Sequence, residues 1–276
     1  MRDWYFQVGV NMMNNKQGEY LLNSFISKCV RQYTNFMGID KMPSFDIVPI
    51  SISLDEAKNK GYGSFASHYY DINTGAHRLE VWKDFHNFQV DADYLLFHEF
   101  THIVDTEIYS DRDKKKNVAI KGYTEYHAAQ IDFLRILGSK SVKDITSFSL
   151  EQEVETLSRR ESALEYVLEA HNTAAILLAR PGFPADIETL ATTIGLLFNY
   201  LGRLSICKMY AVDYRTYIDK FSDTTLEQLF FGKDVYQVID VFLRGWLSEP
   251  HIKILGGVYL KIIDTKGQVL LKKRVE

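Results

Sequence analysis

Two histidines and a glutamate in the segment His98-Glu99-Phe100-Thr101-His102 have the types and spacing that indicate metal chemistry. Residues four apart lie on one face of an α-helix, so His98 and His102 can present both imidazoles to one Zn²⁺ ion. Glu99 lies beside them, and its carboxylate is free to accept a proton from an attacking water molecule. The pattern therefore predicts a metal centre that hydrolyses its substrate through an activated water.

The residues around this motif predict the helix that the two histidines need. Asp91 or Asp93 is a suitable N-cap, and acidic residues suit the first turn of a helix. Neither glycine nor proline occurs between residues 90 and 108. Apolar residues recur at helical spacing within this stretch, namely Leu96, Phe97, Phe100, Ile103 and Val104. We therefore expect the motif to lie on a largely buried helix.

The motif and its helix resemble the zincin metallopeptidases, directly over the motif helix and in architecture over residues 45–137. The resemblance implies an enzyme, a zinc metallopeptidase, that uses one Zn²⁺ per chain to hydrolyse a peptide or protein substrate. It also implies an α+β, zincin-like fold. In such a fold a small mixed N-terminal sheet packs on the metal-binding helix, and we expect a mainly helical C-terminal region to follow it.

A catalytic zinc site usually has three protein ligands and one open position, so a third ligand is needed. The metzincin arrangement would place a glycine and a further histidine after the motif, where this chain has Asp105 and Ile108. The gluzincin arrangement, with a glutamate from a downstream helix, fits better. Residues 122–138 are typical of such a helix, and Glu125 shares a face with small residues that allow a second helix to approach, Ala128 and Ala129. Glu125 is therefore the predicted third ligand.

The sequence leaves more than one role open for several other polar residues near the motif and on the downstream helix. His127 and Glu107 are rival ligands, although Glu107 points away from the histidine pair and is typical of a solvated charge. Asp105 is either a hydrogen-bond acceptor for a ligand imidazole or a surface acid. A donor to the developing oxyanion is also required, and the candidates are Tyr123, Tyr126, His127 and His171.

The N-terminal part of the chain predicts the elements that position this site. Its hydrophobic pattern indicates a helix, a strand and a β-hairpin in turn, over residues 17–37, 44–52, 63–70 and 76–82. We expect residues 63–68 to form the edge strand along the cleft, where a strand can bind the main chain of a substrate. His68 and His77 have no evident function and are expected at the surface or in packing.

After Gly138 the character of the sequence changes. The pattern becomes strongly helical, with helices predicted over residues 149–180 and near 185–203, 205–220 and 233–246. Residues 252–271 contain apolar runs around glycine turns and predict a terminal β-hairpin. We therefore divide the chain into a catalytic region, residues 1–138, and a mainly helical region, residues 139–276, packed against it.

Composition excludes several other classes of function. The chain of 276 residues has 46% hydrophobic and 25% charged residues, as in ordinary globular proteins. Its net charge of −4 implies no broad cationic face, so no nucleic acid partner is expected. We find no signal sequence and no apolar run of membrane-spanning length, so we expect no membrane partner and a cytoplasmic location. Cys29 and Cys207 are expected as buried hydrophobic residues and not as zinc ligands.

Two alternative hypotheses stand beside the enzyme. A catalytically inactive zincin-like protein would keep the fold and use the cleft to bind a protein or peptide partner. A structural protein without metal would carry the motif by coincidence. The intact Glu99 favours the enzyme, because a protein that only binds has no need for a carboxylate beside the histidine pair.

Overall fold

The computed structural model describes residues 15–51, 65–87, 92–157 and 159–273. Its β-strands are β1 (Phe45–Ile50), β2 (Ala66–Asp71), β3 (Ala76–Trp82), β4 (Glu153–Glu155) and β5 (Arg160–Ser162). Its α-helices are α1 (Asn15–Met37), α2 (Asp93–Tyr109), α3 (Lys114–Ala119), α4 (Lys121–Ile136), α5 (Ala163–Leu178), α6 (Ile187–Tyr210), α7 (Thr225–Phe231), α8 (Val235–Phe242) and α9 (Glu249–Lys273). Short 3₁₀ helices lie at Phe85–Asn87, Tyr214–Phe221 and Gly232–Asp234.

The N-terminal sheet has its strands in the order β1-β3-β2. β1 pairs parallel with β3, so that Ile47 lies opposite Leu79, and β2 pairs antiparallel, with His68 opposite the same Leu79. The predicted hairpin is confirmed for the described residues, and β2 is an edge strand as expected, although it begins at Ala66. Pro49 lies in β1 at the other edge, where a missing N–H is tolerated.

Helix α1 confirms the predicted N-terminal helix and packs on the motif helix, α2, through aromatic rings. Tyr33 is fully buried, and its ring lies 5.3 Å from that of Phe97 and 5.5 Å from that of Phe100, edge-on in both cases. Its hydroxyl donates to Thr101 Oγ1 at 3.1 Å. Edge-on ring pairs and a satisfied hydroxyl stabilise a buried contact, so α1 supports one side of the helix that carries the motif.

Helices α4 and α6 approach each other closely because glycine occupies the contact. A Cβ atom on Gly202 of α6 would overlap the backbone oxygen of Tyr126 in α4. A Cβ atom on Gly122 of α4 would overlap the ring of Phe198 in α6. Because protein interiors are packed without spare volume, each helix needs a residue without a side chain at these points.

We expect Gly202→Ala to destabilise the fold. The new methyl group would overlap the backbone of α4, and overpacking of this kind costs about 1–3 kcal/mol of unfolding free energy. Gly18→Ala in α1 is the matched control, because a Cβ atom there meets no described atom within 4 Å. The control should leave stability unchanged or raise it by about 0.5 kcal/mol. Denaturant unfolding measures both effects, and equal stability of the two variants would contradict the close helix contact.

Residues 153–155 and 160–162 lie in the segment predicted as the start of a helix, but they form the antiparallel pair β4–β5. Helix α5 begins only at Ala163. The side chain of Ser162 accepts from the amide of Glu165, and the Glu165 carboxylate accepts from the amide of Ser162. This capping box fixes the start of the helix, so apolar residues further back, such as Val154, belong to the strand pair.

Helix α6 is continuous where the sequence pattern predicts two helices, near 185–203 and 205–220. Gly202 does not end the helix, because it lies in the contact with α4 and not in a cap. Contrary to expectation, α6 also has the length and apolar composition of a membrane span, and 72% of its most apolar window is buried inside the protein. Burial to this extent is typical of a core helix.

The predicted C-terminal β-hairpin over 252–271 is wrong, because these residues form helix α9. Buried residues recur every three or four positions, as in a helix, at Ile252, Leu255, Tyr259 and Ile262. Gly256 favours a turn by type, but it faces Ala119 of α3, whose backbone oxygen would lie 3.2 Å from an added Cβ atom. Tertiary packing therefore overrides the turn preference.

The fold is α+β, with a small mixed sheet and a mainly helical remainder. The division of the chain at residue 138 stays a prediction.

Candidate metal centre

Helices α2 and α4 bring the three predicted ligands together. His98 and His102 lie on α2 and Glu125 lies on α4. Glu125 Oε2 lies 3.6 Å from His98 Nε2 and 3.7 Å from His102 Nε2, and the three ligand atoms are all within 4.8 Å of one another. The two imidazoles and the carboxylate therefore reach a single point and could hold one metal ion. Among the described residues, the rivals His127 and Glu107 do not belong to this group.

An ion pair between α2 and α4 fixes the orientation of these two helices relative to each other. Asp93, in the first turn of α2, accepts from Arg135 of α4, with Nη2 to Oδ2 at 2.6 Å and Nε to Oδ1 at 2.9 Å. The prediction that Asp93 caps α2 is wrong: the N-cap is Ala92, and no described side chain caps this helix. Asp91, the other candidate, lies outside the described residues. A two-pronged arginine–carboxylate pair fixes orientation as well as charge.

Asp132, on α4, supports the first ligand and was not identified from the sequence. Its Oδ2 lies 2.9 Å from Nδ1 of His98 and 3.2 Å from Nη2 of Arg203. A carboxylate on Nδ1 fixes the imidazole tautomer and directs Nε2 to a metal. Burial lowers the pKa of His98, but the hydrogen bonds of Asp132 and Glu125 and the charges of Asp132 and Glu99 raise it overall. Its spacing could have identified Asp132 from the sequence, because it follows Glu125 by about two helical turns and therefore lies on the same face of the helix.

If the cluster holds a metal ion, we expect Asp132→Asn to weaken its affinity for a probe ion, Zn²⁺, by about 10- to 100-fold, the range for removal of the partner of a ligand histidine. The amide lacks the charge that holds His98 and Arg203. Competition with a chromophoric chelator measures the zinc affinity. Asp46→Asn, the same change at an exposed position of β1, is the control and should bind zinc as the wild type does. Equal affinities in the two variants would rule out a supporting role for Asp132.

Glu99, beside the first histidine of the motif, contacts the edge strand. Its Oε2 accepts a hydrogen bond of 2.7 Å from the backbone amide of His68 in β2. Burial raises the pKa of Glu99 to about 7; the charge of His98 opposes this rise, and that of Glu125 adds to it. A carboxyl group with such a pKa can both accept and release a proton near neutral pH. These are the two transfers that a general base in peptide hydrolysis must perform.

Helix α6 supplies a further contact to Glu125. With its amide nitrogen turned toward the site, Asn199 donates to Glu125 Oε2 at 3.1 Å and to the backbone oxygen of Glu125 at 2.8 Å. Gly195, one turn earlier, lies beside the same carboxylate, since a Cβ atom there would be in van der Waals contact with it, 3.4 Å from its carbon. Asn199 therefore orients the carboxylate. No local pattern could predict this contact, because the two residues lie on different helices.

Asp105 and His127 form a pair beside the ligands. Asp105 is buried, and its Oδ2 lies 2.9 Å from Nδ1 of His127. Asp105 therefore binds His127 and not a ligand imidazole, which corrects its predicted partner. The His127 ring stacks on Tyr123 with 5.5 Å between centroids. With Nδ1 held by Asp105, Nε2 is the nitrogen of His127 left to bind a substrate.

Two other candidates for the oxyanion donor are directed elsewhere. Tyr126 is fully buried, and its hydroxyl hydrogen-bonds the backbone oxygens of Phe242 and Gly245, at 2.6 and 2.7 Å. His171 lies on α5, with Nε2 3.4 Å from Oε1 of Glu227. The hydroxyl of Tyr126 is satisfied within the helical region, and the ring of His171 lies beside Glu227 there, so we assign neither of them to the oxyanion.

No protein-family model matches this chain. Comparison with curated proteins and with solved structures finds no significant similarity either. The structure shows a mixed α+β fold in which His98, His102 and Glu125 lie close enough to hold one metal ion. Function must therefore be inferred from the geometry and chemistry of these residues and their neighbours.

Proposed function

We propose that this protein is a zinc metallopeptidase of the zincin type, in which His98, His102 and Glu125 hold one Zn²⁺. The observation that supports the proposal most strongly is the convergence of these three side chains with Glu99 beside them. Two imidazoles and one carboxylate are a donor set of zinc hydrolases, and three protein ligands leave one position open. The side chain of Glu125 is 30% exposed, so solvent and substrate can reach the cluster.

Glu99 performs both proton transfers of the proposed reaction. Bound zinc would lower the pKa of a water molecule and polarise the scissile carbonyl group. Glu99 accepts the proton of the attacking water and later gives it to the leaving amine. The amide of His68 holds one carboxylate oxygen of Glu99, so the other oxygen is available for the proton. The pKa of Glu99, at about 7, suits both transfers.

His127, Asp105 and the edge strand complete the proposed mechanism. His127 Nε2 donates to the carbonyl oxygen of the substrate as negative charge develops there. Asp105 keeps the Nδ1 hydrogen bond and so orients the ring with Nε2 toward the substrate. β2 binds an extended substrate by adding a strand to the sheet, because it lies at the edge and next to Glu99.

Metal analysis and turnover on a peptide library test the proposal together. Protein purified without added metal should contain zinc and cleave peptides, lose that activity with a chelator, and regain it with Zn²⁺. Zinc without turnover on any peptide would favour the alternative, an inactive zincin-like protein that binds a protein or peptide partner. Protein that binds no zinc would contradict both.

A further inference from the structure

Three side chains without a role in the proposed mechanism form a hydrogen-bonded chain at the edge of the cleft. His68 lies on β2, His77 on β3 and Glu107 in the last turn of α2. His68 Nε2 lies 2.9 Å from His77 Nδ1, and His77 Nε2 lies 3.1 Å from Glu107 Oε2. The two imidazole rings stack with 5.1 Å between centroids. The sequence predicts surface or packing positions for both histidines and a solvated Glu107, so this chain was not anticipated.

The chemistry of the carboxylate fixes the direction of one of the two hydrogen bonds. The carboxylate of Glu107 can only accept, so His77 donates from Nε2. The other bond joins Nδ1 of His77 to Nε2 of His68. The side chain of His77 is 2% exposed, so water is a poor substitute partner for either of its nitrogens. Each side chain is therefore held by the next, and the chain ends at Glu107.

His68 has a second connection to the same helix. Its backbone amide donates to Glu99 Oε2 at 2.7 Å. Glu99 and Glu107 are separated by just over two turns of α2, so both can face the same sheet. His68 is thus connected to α2 twice. Its main chain bonds Glu99 directly, and its side chain reaches Glu107 through His77. A displacement of His68 would disturb the hydrogen bond that orients Glu99.

We propose that His77 and Glu107 are positioning residues for the reaction: they hold His68 so that its amide keeps the carboxylate of Glu99 in place. The inference rests on the proposed function. It explains why the contact between sheet and helix contains a buried histidine with polar partners, where an apolar side chain would avoid the cost of burying polar atoms. Both residues lie outside the three-residue metal group and act through His68.

Truncation of Glu107 tests this inference with little risk to folding, because its side chain is 57% exposed. Glu107→Ala should lower kcat by about tenfold at unchanged KM, as expected when a reacting group loses alignment. Glu107→Gln keeps an oxygen that can accept from His77 Nε2, so it should restore kcat to near the wild-type value. Ile108→Ala, an exposed truncation on the same helix, is the control and should have wild-type kcat.

Hydrogen exchange at the His68 amide, followed by NMR, gives a second readout that does not depend on turnover. Exchange should be faster in Glu107→Ala than in Glu107→Gln or Ile108→Ala, because the bond to Glu99 opens more often. Wild-type kcat with wild-type exchange in Glu107→Ala would overturn the inference, and so would a loss of kcat that Glu107→Gln fails to restore. Wild-type protein that cleaves no peptide would refute the proposed function instead, and the exchange rates would still show whether Glu107 supports the Glu99 contact.

Discussion

Glu99→Gln should abolish peptide hydrolysis and leave the zinc in place. Glutamine has the shape of glutamate and can still accept a hydrogen bond from the His68 amide, but it cannot take a proton from water. We expect kcat/KM to fall by at least about 100-fold, since a positioned base contributes that much or more. Zinc content should not change, because His98, His102 and Glu125 are untouched. Steady-state kinetics and elemental analysis of the same preparation measure both results.

The matched control for this variant is Glu107→Gln, the same substitution on the same helix. It should hydrolyse peptides at nearly the wild-type rate, because an amide oxygen can replace the carboxylate in the bond to His77. A fully active Glu99→Gln enzyme would remove the proposed base from the mechanism. Loss of zinc from Glu99→Gln would instead assign that residue to metal binding.

Glu125→Ala should lose the metal as well as the activity. Two imidazoles would remain at the site, and zinc affinity should fall by more than about 100-fold, beyond the effect of removing a supporting residue. His127→Ala removes the rival ligand and is the informative comparison. It should keep wild-type zinc affinity and lose turnover, because His127 acts on the substrate. Chelator competition measures the affinities, and the melting temperatures of the metal-free variants check that each still folds.

The opposite pattern would reassign the site. Wild-type zinc affinity in Glu125→Ala, together with loss of zinc in His127→Ala, would make His127 the third ligand. In that case the pair with Asp105 would support a metal ligand, and the oxyanion would need another donor. The distances in the structure favour the first pattern, since Glu125 Oε2 lies 3.6 and 3.7 Å from the two ligand nitrogens.

The positions of the motif ligands could be predicted because the decisive information is local. His98 and His102 need only the four-residue spacing of a helix. The sequence predicts Glu125 because Ala128 and Ala129 would let the motif helix approach. The structure does bring Glu125 to the histidines, but Ala129 packs against α6, where an added Cβ atom on Gly202 would lie 3.2 Å from its Cβ, so this small residue serves a different helix contact from the one predicted.

The supporting contacts could not be predicted in the same way, because each joins residues on separate elements. Asp132 bonds His98 across two helices, and His77 links a strand to the end of α2. Periodicity identifies the face of an element but not the residue that meets it from another. The same limit applies at the C-terminus, where glycines favour turns by type and packing against α3 makes Gly256 part of helix α9.

Anomalous X-ray diffraction at the zinc edge tests the central claim most directly. We predict one peak per chain, about 2.0–2.2 Å from Nε2 of His98, Nε2 of His102 and a carboxylate oxygen of Glu125. Crystals grown with Zn²⁺ that show no peak there, or a peak held by other residues, would contradict the assignment of a catalytic metal to this histidine pair.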